Sequence, residues 1–257
     1  MMFLFDELVY RPIYNLLIFI YNVLPFHDFG VSIILVTVII KFLLVPLSKK
    51  QIESQKRMQE LQPKIKEIQD RHKNDKEKQS RALMEFYKEN KANPFSGCLP
   101  MIFQLVFLIA IYRVLFNISQ NGLRVNASDL YAFMHNPGQI NHLFLGLMDL
   151  SSVVDFKIAS VSNVAHIIVV IMAAAAQYFQ TKMLMATNKK KHEEKESNDK
   201  KEKEQDFAQI MSKQMLYLAP VMTLFIGIKF PAGLALYWLV STLFMIIQQG
   251  RLEKKKI

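Results

Sequence analysis

Apolar residues in this chain gather into long blocks, and nearly all of the charge lies between them. Residues 30–48 read GVSIILVTVIIKFLLVPLS, with Lys41 as their one charged residue, and the next forty-four alternate Lys, Glu, Gln and Asp with a thin apolar stripe. A helix of about 20 apolar residues crosses the ~30 Å hydrocarbon layer of a bilayer. Such a block has no polar face to turn toward water, and no long stretch alternates as a half-buried sheet would. A composition of 51% hydrophobic residues with a net charge of +10 is contradictory in a soluble domain. It is ordinary for a membrane protein with basic loops. The expected fold class is an all-α membrane protein.

The blocks divide the chain as follows. Residues 1–28 carry Asp6, Glu7, Arg11 and Pro12 near one end, and Asn15 and Asn22 share one face. This pattern suits an interfacial amphipathic helix on the outer face, with Tyr10, Tyr14 and Tyr21 at headgroup level. Five spans are expected, at 29–48, 97–117, 161–185, 214–230 and 231–249. The segment 49–96 is rich in helix formers, with apolar stripes at Ile52, Met58, Leu61, Ile65 and Ile68 and at Ala82, Leu83, Phe86 and Tyr87. Between them lies HKNDKEK, so a cytoplasmic helical hairpin is expected, with Pro63 as a possible kink and Asn93-Pro94 as its stop. Residues 118–160 form an external loop, 186–213 a charged cytoplasmic loop whose 187–206 run is too polar to build a core, and 250–257 a basic tail.

Orientation follows from Lys and Arg. Of 32 such residues, only Arg11, Lys41, Arg113, Arg124, Lys157 and Lys229 fall outside 49–92, 182–213 and the tail after Gly250. With five spans those three segments share one side, and the positive-inside rule makes it the cytoplasm. Met1–Tyr10 has acids where a signal peptide needs a basic region. The expected location is the bacterial cytoplasmic (inner) membrane, multi-pass, with the N-terminal segment outside and the C-terminus cytoplasmic.

Little in the chain suggests bond-making chemistry. A single cysteine, Cys98, rules out an internal disulfide. The six histidines lack metal-ligand spacing, and no phosphate-binding glycine loop occurs. No enzyme activity, metal or cofactor is expected. Lys41 is the sharpest feature, on the order of 10 Å inside its block. A charge at the bilayer centre costs at least ~2.5 kcal/mol on insertion scales. Two readings are open: the amine snorkels to the cytoplasmic headgroups, or it faces a wet cavity between helices. Polar residues at Thr37, Gln104, Gln177, Gln180, Tyr237, Trp238, Ser241 and Thr242 offer material for such a cavity, although each alone is more often an interhelical hydrogen bond. The basic segments either set topology against anionic lipids or dock an anionic partner such as ribosomal RNA.

Four stretches carry a resemblance: GVSIILVTVIIKFLLVPLSKKQ, MQELQPKIKEI, NPFSGCLPMIFQLVFLIAIYRVL and FPAGLALYWLVSTLFMIIQQ. In this order they resemble the YidC/Oxa/Alb family of membrane protein insertases. The resemblance implies a five-helix core, an outer amphipathic helix and a cytoplasmic hairpin. It also implies a non-enzymatic insertase and chaperone that receives nascent membrane proteins from the ribosome, with or without the Sec translocon, and acts as a monomer without binding DNA. A hydrophilic groove would hold Lys41, where bacterial members usually carry Arg, with Thr37, Gln104, Gln177, Tyr237 and Trp238 facing it. Lysine keeps the charge and loses the planar five-donor fork. Two other classes fit the residues less fully: a small-solute or ion transporter with Lys41 as counter-ion, and a scaffold that handles no substrate. The chain shows no internal repeat of the kind common in transporters.

Overall fold

In a computed structural model, residues 2–93, 99–192 and 207–254 are described, and they are mostly helical. The residues group into two compact units. The first contains residues 1–43, 106–186 and 198–257, and the second residues 44–105 and 187–197. Pro94 to Cys98, most of the charged 187–206 run and the last three residues of the tail lie outside the described residues.

The first unit opens with helix α1 (Met2–Phe5), a π-helical turn (Asp6–Tyr10) and α2 (Arg11–Val23). Pro12 has no N–H to donate and its ring crowds the preceding turn. The turn before it widens, and the Arg11 N–H donates to the Asp6 carbonyl, an i to i−5 bond. α2 buries Ile13, Tyr14, Leu17, Ile18, Ile20 and Tyr21 and leaves Phe19 and Val23 exposed. It ends before Pro25, which biases Leu24 to an extended backbone.

Asp28 then starts α3 (Phe29–Leu43). Its Oδ1 accepts the N–H groups of Gly30 (2.8 Å) and Val31 (3.0 Å), an N-cap that satisfies donors with no partner inside the helix. Its Oδ2 accepts the Leu145 N–H at 2.7 Å, tying the helix start to a distant loop. α3 packs between α2 and α9 (Ala232–Lys254). Part of α6 (Leu99–Gln120) adds buried Ala110, Ile111, Val114, Leu115 and Ile118. α7 (Val161–His192) meets α8 (Phe207–Lys229) where Gly227 lies against Val170 and its carbonyl is 3.1 Å from His166 Nε2.

Residues 121–160 form a folded cap rather than a loose connection. They contain a 3₁₀ turn (Ala127–Asp129) and a hairpin of β1 (Leu143–Phe144) and β2 (Met148–Asp149), paired antiparallel with Phe144 opposite Met148. Val125, Ile140, Met148 and Leu150 are buried. The Ser152 and Leu150 carbonyls accept the first N–H groups of α9, from Ala232 (2.9 Å) and Gly233 (3.0 Å). The three tyrosines of the N-terminal helices are all buried within the protein. Tyr14 and Tyr21 hydroxyls accept the N–H groups of Asn126 and Asn141, each at 2.8 Å. Tyr10 donates to Asp129 (3.1 Å) and accepts from Asn117 (2.8 Å). Asn15 grips Asp129 and Tyr131 backbone groups, and Asn22 the His135 carbonyl. Arg113 completes the cluster by pairing with Asp6 and lying over the Tyr10 ring, 4.9 Å from its centroid. An amphipathic face buries its polar-tipped rings wherever the loop can bond their hydroxyls, because an unmade buried hydrogen bond is costly. Burial pushes the Tyr14 phenol up to about 12 and raises that of Tyr10 as well.

The second unit contains a helical hairpin of α4 (Val45–Arg71) and α5 (Lys76–Glu89). Pro46 in the first turn suits a helix start, and Pro63 stays within α4. Asp75 caps α5 by accepting the Lys78 N–H at 3.0 Å, and that bond holds its carboxyl below the usual range. Gln79 donates to the Gln69 carbonyl across the hairpin at 2.8 Å.

Among the described residues, Val161–Leu184 and Ala232–Leu252 are long and apolar enough to cross a membrane. Phe29–Leu43 and Val45–Met58, if they count as one span, make a third. Gln104–Gln120 and Leu216–Lys229 are shorter apolar helices.

Candidate functional site

α3 carries Thr37 and Lys41 one turn apart on the same face, because side chains four residues apart stack along a helix. That face is turned inward: Thr37 is buried and Lys41 is 9% exposed. The opposite side presents Val38, Ile39, Phe42 and Leu43 as exposed apolar surface. The Lys41 side chain is therefore enclosed by protein and does not stand among those apolar neighbours. Thr37 spends its proton on its own helix, donating to the Ile33 carbonyl at 2.6 Å, which leaves its oxygen as an acceptor.

Thr37, Ile40 and Lys41 line a small recess with Phe107 and Ile111 of α6 and Tyr237 of α9. Its lining is almost wholly apolar. Tyr237 is buried there by the close approach of α9 to α3, to which Gly233 contributes. A Cβ at Gly233 would stand 3.0 Å from Leu115 and 3.4 Å from Ile33.

A second small recess lies on another face of α9. Trp238 lines it with Val170 and Ala173 of α7 and Thr223 and Gly227 of α8. The indole N–H of Trp238 donates to the Gln177 side-chain carbonyl at 3.3 Å. Successive helical residues point about 100° apart at 3.6 residues per turn. Tyr237 and Trp238 consequently face different neighbours.

Of the six candidate positions, the first unit brings Thr37, Lys41 and Tyr237 to one recess and pairs Gln177 with Trp238 beside the other. Gln104 is half-buried in α6 and belongs to the second unit. Ser241 and Thr242 are buried farther along α9. Sequence reasoning missed Asp28, which fixes the start of the Lys41 helix. A short acceptor just before an apolar run is a readable cap signal. It also missed that Asn15, Tyr14 and Tyr21 bind the 121–160 segment, for which no local signal exists.

A family model described as 60Kd inner membrane protein matches residues 19–257. A membrane protein insertase YidC of Fusobacterium nucleatum is 32% identical over 250 residues, covering 96% of this chain and 98% of that protein. Its counterpart in Geotalea uraniireducens is 33% identical over 245 residues, covering 95% of this chain and 37% of that protein. That of Geobacter metallireducens is 29% identical over 248 residues, covering 95% of this chain and 36% of that protein. The chain thus spans nearly the whole of one relative and little more than a third of the other two. With the family model and full-length similarity in agreement, the chain belongs to the 60Kd inner membrane protein family, the YidC/Oxa family of membrane protein insertases.

Proposed function

We propose that this chain is a membrane protein insertase and chaperone that accepts hydrophobic nascent proteins beside Lys41 and releases them sideways into lipid. The observation that carries this reading is the enclosure of one amine, with Thr37 and Tyr237, among helices whose buried residues are mainly apolar. Five spans, an outer helix over residues 1–28 and a cytoplasmic hairpin over 49–96 are part of the reading. The Lys/Arg distribution and the capped hairpin support them. The other segments keep the boundaries given above, with 118–160 outside and 186–213 and 250–257 in the cytoplasm. Partners would be the ribosome, anionic lipids and, for some substrates, the Sec translocon, with the chain acting as a monomer.

The energetics define a substrate class. Apolar residues at the centre of a spanning helix contribute about −0.3 to −0.6 kcal/mol each, and a charged one costs about +2.5 to +3.5. About ten apolar residues therefore offset one or two charges and no more. A short flank with few charges can cross on partitioning alone if its dry path is shortened. Lys41 would shorten that path by attracting carboxylates and carbonyl groups of the flank, as a point charge with three donors. The apolar segment would then leave between α7 and α9, the side on which Gln177 and Trp238 lie. Each Å² removed from water adds ~25 cal/mol to the driving force. No bond is made or broken.

Lys41→Ala and Lys41→Arg, assayed in proteoliposomes for insertion of a single-spanning substrate with an acidic flank, test the mechanism. The Arg form is expected to insert normally and the Ala form to lose most activity on that substrate while keeping more on one with a neutral flank. Full activity of the Ala form on both would remove the charge from the mechanism.

A further inference from the structure

The hairpin of residues 143–149 turns through Leu145 (φ 51°) and Gly146 (φ 70°), both left-handed. Turns of that kind in water carry Asn-Gly or Asp-Gly, whose short polar side chains tolerate the conformation. Here a leucine takes the first position. Its side chain is 65% exposed, so packing within the protein does not compensate the unfavourable backbone. Leu147, two residues on, is 56% exposed.

The hairpin is fastened to the corner between α2 and α3. Asp28 accepts the Leu145 N–H, and Gly30 lies so close to Phe144 that a Cβ there would overlap its ring. That corner exposes Phe26 (81%) and Val23 (66%). Two chain segments thus bring four exposed apolar side chains to the place where α3 begins. Residues 19–29 and 140–150 contain no Lys, Arg or Glu. Asp28 is buried in its cap, and Asp149 accepts from Ser151 and lies 3.8 Å from His142. The acids of this corner are engaged within the protein, and the surface shown outward is mainly apolar, with His27 and Asn141 as its exposed polar side chains.

We propose that Val23, Phe26, Leu145 and Leu147 form a wedge that inserts among the lipid chains at the end of the bilayer where α3 enters. The occupant is lipid because the patch continues the exposed apolar surface of α2, with Phe19, and sits at the first turn of α3. This rests on the proposal that α3 crosses the bilayer, which fixes its N-terminus at the membrane surface. A rigid insertion of this kind would hold the 121–160 cap at a set depth.

The lone cysteine allows a direct test. Cys98→Ser removes it, and single cysteines replace Leu145, Phe26 or Leu147. Ile39, exposed in α3, serves as a deep reference, and Ala127, exposed in the cap between polar neighbours, as a water reference. Each is labelled with a nitrobenzoxadiazole dye in proteoliposomes of phosphatidylethanolamine and phosphatidylglycerol containing spin-labelled lipids. The wedge positions are expected to emit to the blue of Ala127 and to be quenched most by lipids labelled near the headgroup. Ile39 should be quenched most by lipids labelled deep in the chain. Water-like, unquenched emission from the wedge positions with Ile39 still quenched would overturn the wedge and leave the spanning reading intact. An unquenched Ile39 would mean that the spanning reading itself has failed. Disulfide-linked dimers through Leu145→Cys with no lipid quenching would assign the patch to a second copy of the chain and overturn the proposal. Three wedge positions are used so that one misfolded variant does not decide the result.

Discussion

Asp28 serves three backbone N–H groups at once, two in the first turn of α3 and one in the β-hairpin. Losing a cap of this type costs about 1 kcal/mol, and leaving a buried donor unpaired about 1–3 kcal/mol more. Asp28→Ala is therefore expected to lower the thermal midpoint in detergent clearly, and Asp28→Asn, which keeps one acceptor, to lower it less. Tyr14 makes a pH prediction. Its folded-state value is raised from 10.0 to about 12, so the folded protein holds this proton more tightly than the unfolded chain does. Its contribution is whole below pH 10 and lost as pH rises toward 12. Proteolysis of the 121–160 cap should be unchanged up to pH 10 and should quicken above it, and Tyr14→Phe should reduce that step, leaving the part that Tyr10 contributes. At this scale Lys41 was legible because a charge in an apolar block demands a reason. Its inward direction was not, since helical spacing alone does not say which face meets a neighbour.

The helices are where reading by period succeeds, and their contacts are where it stops. Glycines mark the contacts. A Cβ at Gly227 would meet the branched Cγ atoms of Val170 at 2.8 and 2.9 Å. Ala gains up to about 1 kcal/mol of helix propensity over Gly, whereas overpacking costs about 1–3 kcal/mol. Val170 is stiff at χ1 and cannot swing away, so Gly227→Ala should be destabilising. At Gly233 the neighbours are the methyl ends of Leu115 at 3.0 and 3.1 Å, which can give, and Gly233→Ala should be close to neutral. Parallel thermal unfolding of the two variants in detergent would show the difference. The 118–160 segment shows the limit of local reading. Its turns and polar residues looked like a connection, and its order comes from tyrosine and asparagine side chains more than a hundred positions earlier in the chain.

For the whole molecule, the proposed topology rests on the Lys/Arg distribution. Cysteines introduced at Lys76 and at Ala127 in a Cys98→Ser background should react with a membrane-impermeant maleimide from opposite faces of sealed inverted vesicles. Lys76→Cys should react at once and Ala127→Cys only after permeabilisation. The family was legible because four motifs recur in order across most of the chain, and the full-length similarity agrees with it. The division of the candidate positions into two recesses was not legible. It depends on which way α9 turns between α3 and α8, a property of packing and not of composition. The most direct measurement is photocrosslinking from Thr37 and Trp238 to a ribosome-stalled membrane protein in native membranes. Adducts to the nascent chain from both positions, appearing as its apolar segment emerges and fading once it is released into lipid, are expected. Adducts to lipid alone at every chain length would contradict the insertase mechanism.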